Sequence, residues 1–457
     1  MRVFRGKKHY PILLCCCLAF LLTACATSSS STSSDVASTH PINSMQMTVP
    51  TRPTPTTIPM PVTQTSCPAV GSARALATAP LTQGNQQTIV YAANEHATNS
   101  YTATAGMLKR YDVTTGHTTS IVRIPNMGIG GAEVSPNGQW ILFTSASSVV
   151  DPGAHQNFKL QAVRIDGRGL QTLYCGTSAS NITINDFQWS PDQTFIAFNS
   201  DSLFANSATG TNTYTVQLLN VATGNLHTAF SFSTPYATGM QFHSWLDSSH
   251  LYLYQSGPGG LFSHIYLLNT SKGANQHEND LTTIVNTGYN GFESSYDRSQ
   301  LYIDYNGCGQ MGCMPPSSIT TLPATGGTSQ TLWQSTQYNV TQACAANARL
   351  LLVKIETSRS SSQSSPASNG VWALNNDGTG LMRLTTESQS TSSSFGDCAY
   401  AWNNVSRDGA MYALQITNSQ QNSNNLAFGK LNGSNAPTPF ASDASGLTVS
   451  MVGWTTM

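Results

Sequence analysis

Apolar residues in this chain come in short runs, each introduced by a small polar turn, and the combination recurs roughly every 50 residues. The unit is plainest at Ser190-Pro191-Asp192-Gln193-Thr194-Phe195-Ile196-Ala197-Phe198, at Ser135-Pro136-Asn137-Gly138-Gln139-Trp140-Ile141-Leu142-Phe143 and at Ser406-Arg407-Asp408-Gly409-Ala410-Met411-Tyr412-Ala413-Leu414. It decays to Leu246-Asp247-Ser248-Ser249-His250-Leu251-Tyr252 and Asp297-Arg298-Ser299-Gln300-Leu301-Tyr302-Ile303. A second signal follows each of several units. Leu108 to Gly116, Val216 to Gly224 and Ile265 to Gly273 are strands that end in Asp or Asn and reverse at a Thr/Ser-Gly turn. The Asp or Asn side chain closes such a turn on its own backbone, and glycine supplies the positive φ. Helical periodicity is nearly absent, so the pattern predicts an all-β chain.

Four strands per unit is the layout of a β-propeller blade. Blades are expected near 70–125, 130–176, 184–232, 239–286, 290–334, 341–386 and 398–442, with a six-bladed ring as the rival count. The first blade lacks an innermost strand of its own. Leu447-Thr448-Val449-Ser450-Met451-Val452-Gly453-Trp454 has the character of one and ends at the position of Trp189. It is therefore expected to complete the first blade and close the ring.

The Trp189-Ser190-Pro191-Asp192 turn and the segments Asp166-Gly167-Arg168-Gly169-Leu170-Gln171-Thr172-Leu173 and Asp377-Gly378-Thr379-Gly380-Leu381-Met382-Arg383-Leu384 resemble TolB-type β-propeller repeats. The resemblance runs over about residues 70–457, with weaker motifs in blades four to six. It implies a periplasmic or surface interaction scaffold. Related propellers precede the catalytic domain of prolyl oligopeptidase-like enzymes, but no Gly-x-Ser-x-Gly elbow or N-terminal α/β domain of the TolB type is seen, so neither peptidase activity nor a particular partner transfers.

Composition adds an address. Arg2, Arg5, Lys7 and Lys8 precede the apolar run Ile12 to Leu22, too short to span a bilayer, and Leu22-Thr23-Ala24-Cys25 resembles a bacterial lipobox. Residues 1–24 then form a lipoprotein signal, Cys25 carries the lipid, and the Ser/Thr/Pro-rich stretch 25–66 is a tether that sets the 67–457 propeller domain some 35 Å from the membrane. The expected location is the extracytoplasmic side of the cell membrane. Removing residues 1–24 leaves 16 Lys+Arg against 21 Asp+Glu, a formal charge of −5, which excludes a basic footprint for nucleic acid. The expected species is a monomer.

Six cysteines remain after Cys25: Cys67, Cys175, Cys308, Cys313, Cys344 and Cys398. An even count in an exported chain favours disulfides. Cys308 with Cys313 fits a clip within one loop, Cys344 with Cys398 a link between neighbouring blades, and Cys67 with Cys175 completes the set. Zinc is the rival for Cys308 and Cys313, but no second Cys or His pair lies nearby.

Candidate chemistry centres on the axial channel. Glu133, Asp186, Gln188, His243, Glu293 and Asn403 each precede a blade turn, and a ring would let them converge on a cation or polar ligand, or merely solvate the channel. His243, His250 and His264 lack metal-ligand spacing, and Trp189, Trp245, Trp402 and Trp454 suit packing between blades better than sugar stacking. Met127-Gly128-Ile129-Gly130-Gly131 lacks the Lys-Ser/Thr of a phosphate loop and is expected to connect blades. No metal or cofactor is expected. The preferred reading is a non-enzymatic binding scaffold for a protein, peptide or cell-envelope component. The alternative is a propeller glycan hydrolase or lyase using Glu133, Asp186 and Glu293.

Overall fold

In four blades the innermost strand is followed by a hydrogen-bonded turn whose chemistry explains the repeat. In the computed structural model the Ser135 hydroxyl donates to Asn137 Oδ1 (2.8 Å) and accepts the Trp140 amide (3.0 Å). The same pair of bonds recurs at Ser190 with Asp192 and Phe195, Ser295 with Asp297 and Gln300, and Ser406 with Asp408 and Met411. One residue in each turn must take positive φ: Gly138 (71°), Gln193 (60°), Arg298 (60°) and Gly409 (72°). The side-chain oxygens thus satisfy backbone donors that the reversal leaves unpaired.

The structure describes residues 63–457, apart from 70, 78–80, 83, 97–102, 148–157, 177–181, 207–210, 235–238, 257–261, 306–315, 357–367, 389 and 445. Cys25 with its leader, and the Cys308 and Cys313 pair, lie outside the described residues. The described residues form seven four-stranded antiparallel sheets, so the architecture is a seven-bladed β-propeller and not the six-bladed rival. Blade 1 has the strand order Leu447–Thr456, Gln87–His96, Ala103–Asp112 and Thr118–Pro125. The last strand of the chain is thus the innermost strand of the first blade, as expected.

Innermost strands of blades 2 to 7 are Met127–Val134, Ile182–Trp189, Met240–Trp245, Gly291–Ser294, Asn339–Ala345 and Thr391–Ser394. Two expectations need correction here. The glycine-rich stretch after Met127 is a strand, not a connection, because Met127 to Ile129 and Ala132 to Val134 pair with the strand Trp140–Ser147. Blade 7 starts at Thr391 rather than at 398, since its inner strand is Thr-Ser-Ser-Ser and carries no apolar signal.

Stability comes from apolar faces pressed between successive blades. Val90 and Leu108 of blade 1 pack with Ile141 and Val163 of blade 2, and Leu142 and Leu160 continue to Trp189 and Phe198 of blade 3. Equivalent layers join Phe230 to Leu253, Tyr252 to Phe292, Ile319 to Val353, and Leu352 to Leu414. The ring closes where Leu426 meets Tyr91 and Val449, and Ala413 meets Ile89 and Trp454. Trp189, Trp245 and Trp454 are fully buried in these layers. Each such side chain contributes roughly 1.5–3 kcal/mol or more through burial.

Residues 64–76 do not belong to blade 1. Gln64 bridges to Gln171, the Arg74 amide donates to Leu173 O, and the Leu76 amide to Val221 O, so this segment straps the outer edges of blades 2 and 3. A disulfide between Cys67 and Cys175 fixes it, with Cα atoms 5.7 Å apart. Gly224 is needed beneath the strap: its φ is 71°, and a Cβ there would stand 2.7 Å from the Ala75 nitrogen.

Trp454→Ala should lower stability by about 3–5 kcal/mol in denaturant unfolding, since the indole fills the closing seam. A loss below about 1 kcal/mol would mean that the seam does not hold the ring together.

Candidate functional site

The axial wall is shaped by bulges. In five of the seven innermost strands the register slips by at least one residue, leaving Gly130–Gly131, Asp186, His243, Thr341 and Val452 without a cross-strand partner. A bulge resets the in-and-out alternation and re-aims the side chain it carries. At Asp186 the backbone takes φ 40°, a strained value for a non-glycine residue, and Asn199 Nδ2 holds the carboxylate at 3.0 Å.

One end of the channel is closed by a segment that sequence reasoning read as a strand. Residues 396–404, including a 3-10 turn at Ala401–Asn403, lie across the ends of the innermost strands. Tyr400 donates its hydroxyl to Trp189 O of blade 3, and Trp402 Nε1 donates to Val134 O of blade 2 (3.0 Å). Gly453 of blade 1 lies against Trp402 O, where a Cβ would come within 3.1 Å. Arg298, from the blade 5 turn, donates to Trp245 O of blade 4 (2.7 Å) and to Ala399 O (3.5 Å). A disulfide from Cys398 to Cys344 attaches the segment to blade 6, with Cα atoms 5.4 Å apart. The segment is therefore a plug anchored to blades 2, 3, 5 and 6 and packed against blade 1. Its rings stack as a column, with Arg298 over Tyr400 (4.5 Å), Tyr400 on Trp402 (4.2 Å) and Arg407 over Trp402 (4.3 Å). Upstream, the buried ion pair of Lys354 with Glu387 holds the Ser393 amide, which donates to Glu387 at 2.6 Å.

Above the plug lies a cavity of about 220 Å³, lined by Glu133, Asp186, Asp397 and Asn403 together with Phe187, Met451 and other small or apolar wall residues. Of the sequence candidates, Glu133, Asp186 and Asn403 thus come together. His243 and Glu293 form a second pair on the wall, 3.7 Å apart, with His243 stacked on Phe292. Gln188 is occupied elsewhere, its Oε1 accepting the Trp245 amide at 2.9 Å. Asp397 was not anticipated. It sits in the plug, where no blade repeat points to it; the unusual spacing between Ser394 and the Ser406 turn is the only trace of it in the sequence.

Electrostatically the cup is starved of donors. Glu133 is 4% exposed and neither carboxylate oxygen makes a hydrogen bond; the Trp189 amide approaches it without reaching bonding geometry. Burial, and then the charge of Asp397, push the Glu133 carboxyl well above the usual range. Burial raises Asp186 and Glu293 as well, with Asp397 adding to both, and burial alone raises Asp397 against the pull of two backbone amides. Asp186 and Asp397 present surface to the channel, yet the ring encloses them, so they touch channel solvent from within a low-dielectric wall. Asp304, behind Glu293, is pushed up to about 7 by burial. His243 is pushed down to about 4 by burial, so it is neutral at pH 7 and its contact with Glu293 is no ion pair there. Among the described residues no three His, Cys, Asp or Glu side chains are grouped closely enough to hold a metal ion.

No protein-family model matches the sequence, and no curated protein sequence matches it. Solved structures do. The Pyrococcus horikoshii acylaminoacyl peptidase superposes with a TM-score of 0.52 at 9% identity over 80% of this chain and 52% of that one. TolB from Acinetobacter baumannii gives 0.40 at 15% identity, over 79% and 82%. Oligogalacturonate lyase from Vibrio parahaemolyticus gives 0.48 at 10%, over 77% and 90%. The chain spans about half the length of the peptidase. At 9% identity the likeness to the peptidase shows a shared fold and nothing about activity.

A carboxyl with a raised folded-state pKa favours the protonated form, so its contribution to stability is present at low pH and is lost as pH rises through the folded value. Glu133→Gln should therefore stabilise the protein at pH 8 by more than about 1 kcal/mol, with the gain vanishing near pH 4. A pH-independent difference in urea unfolding would contradict the buried-carboxyl account. Arg298→Ala should speed amide hydrogen exchange in residues 396–404 selectively, by about 10-fold or more, through loss of charged hydrogen bonds worth about 1.5–3 kcal/mol. Uniform exchange across all blades would show that the plug is not a separate unit.

Proposed function

We propose that the protein is a lipid-anchored binding propeller on the extracytoplasmic face of the membrane, whose ligand enters the open end of the axial channel and stops at the acidic cup. One observation carries this reading: the cup is blind, and Glu133 at its wall is buried with both oxygens unpartnered. A buried charge without a donor costs several kcal/mol unless it is protonated or matched by a partner. Such a group is retained at that cost where a ligand supplies the match.

The lipobox-like residues ending at Cys25 and the Ser/Thr/Pro tether support the anchored placement. A volume of about 220 Å³ lies below the usual 300–1,000 Å³ of pockets that enclose a whole small molecule. That size favours a protruding group of a protein, peptide or envelope component over a glycan chain held for cleavage.

Cys25→Ala should move the protein from the membrane fraction to the soluble or unprocessed fraction; unchanged membrane retention would refute the anchor. A photo-crosslinker at Ser392, exposed on the innermost strand of blade 7, should capture an envelope component in cells, while one at Asp192 on the turn face should not. Equal labelling from both positions would refute entry by the channel.

A further inference from the structure

Every ionisable group that lines the cup is a carboxyl. Glu133 offers two buried oxygens without hydrogen bonds, and Asn403, only 5% exposed, has an unpartnered buried Oδ1. Asp186 and Asp397 add carboxylates from a strand bulge and from the plug, and no Lys, Arg or His lines the cavity. The nearest guanidinium in charge contact with Glu133, that of Arg298, is committed to the carbonyls of Trp245 and Leu246 and to the Tyr400 ring. The missing partner is therefore a cation with several N–H donors.

Geometry narrows its class. The acids are not grouped closely enough to hold a metal ion, which needs oxygen ligands converging within about 2.0–2.6 Å. The cavity has room for about seven waters at roughly 30 Å³ each, far more than one bare ion needs. Phe187, Met451 and Val452 supply apolar wall between the carboxylates, a surface suited to methylene groups. An ammonium carries three donors on a compact head, and an alkyl chain behind it buries along such a wall.

Building on the binding reading above, we propose that the cup is a receptor for an alkylammonium group, its head held by Glu133, Asp397 and Asn403 and its methylenes lying along Phe187 and Met451. The chemistry is that of a lysine side chain or of a free aliphatic amine. Bringing the ammonium in would also let the buried carboxyls ionise, so affinity should rise between pH 5 and pH 8.

The test is isothermal titration of the full-length protein in detergent with n-butylamine, with N-acetyl-lysine amide, with its Nζ-acetylated form and with calcium chloride. Expected are one-to-one binding of the two primary amines, no binding of the acetylated form, and at least a 10-fold loss of affinity in Glu133→Gln. Asp397→Asn, at an exposed position, supplies a second variant should the first alter folding, and is expected to weaken binding as well. Binding of butylamine alone assigns the site to free amines; binding of both admits a lysine of a partner. Calcium binding without amine binding, or amine binding unaffected by both substitutions, would overturn the proposal. If the Ser392 cross-link persists when amines fail to bind, the binding reading stands and only the alkylammonium assignment falls.

Discussion

The structure depends on one non-local pairing, that of the chain's last strand with its first. Leu447–Thr456 bonds along Gln87–His96, and this is what makes blade 1 four-stranded and brings Trp454 against Ala413 of blade 7. Each blade has two apolar faces, and neither is covered until a neighbour stands on both sides. Without the seam, blades 1 and 7 would expose the layers around Tyr91, Leu426 and Ile89.

Closing a ring creates an axial hole, and its wall must reconcile an apolar blade interior with a polar centre. Strand bulges do this by turning single residues such as Asp186 and His243 out of the regular alternation. The plug then converts the hole into a cup. Its anchorage draws on hydrogen bonds to backbone carbonyls, a disulfide and a cation–π column, so it is held by directional contacts rather than by burial alone. Asp397 comes with the plug, and its charge reaches Glu133, Asp186 and Glu293 alike. The acids of the wall are thereby coupled through a residue that belongs to no strand.

Blade number and ring closure were readable because the turn serine and the Asp or Asn two places later repeat as a hydrogen-bonded unit, and because Trp454 repeats the place of Trp189. Glu133 and Asp186 were legible as wall residues because they precede those turns, whereas Asn403 reaches the cavity from the plug and not from the strand on which it was expected. The plug was not, since residues 396–404 take the place in the sequence where a strand was due, while the true strand Thr391–Ser394 is made only of Thr and Ser. Gln188 has the same offset as Glu133 and a different fate, because the Trp245 amide of the next blade claims its oxygen. Such differences rest on neighbours in space that no local pattern encodes. The strap at 64–76 was hidden for the same reason: its bonds go to blades 2 and 3, about a hundred residues or more further along the chain.

The central claim is that the blind end of the channel is a donor-seeking site. A high-resolution crystal structure of the protein purified from the cells that make it tests it most directly. The account predicts continuous density in the cup, with a nitrogen donor about 2.7–3.2 Å from Glu133 and Asn403 and the plug in place beneath it. A cup holding only ordered water, with Glu133 turned to a protein donor, would contradict it.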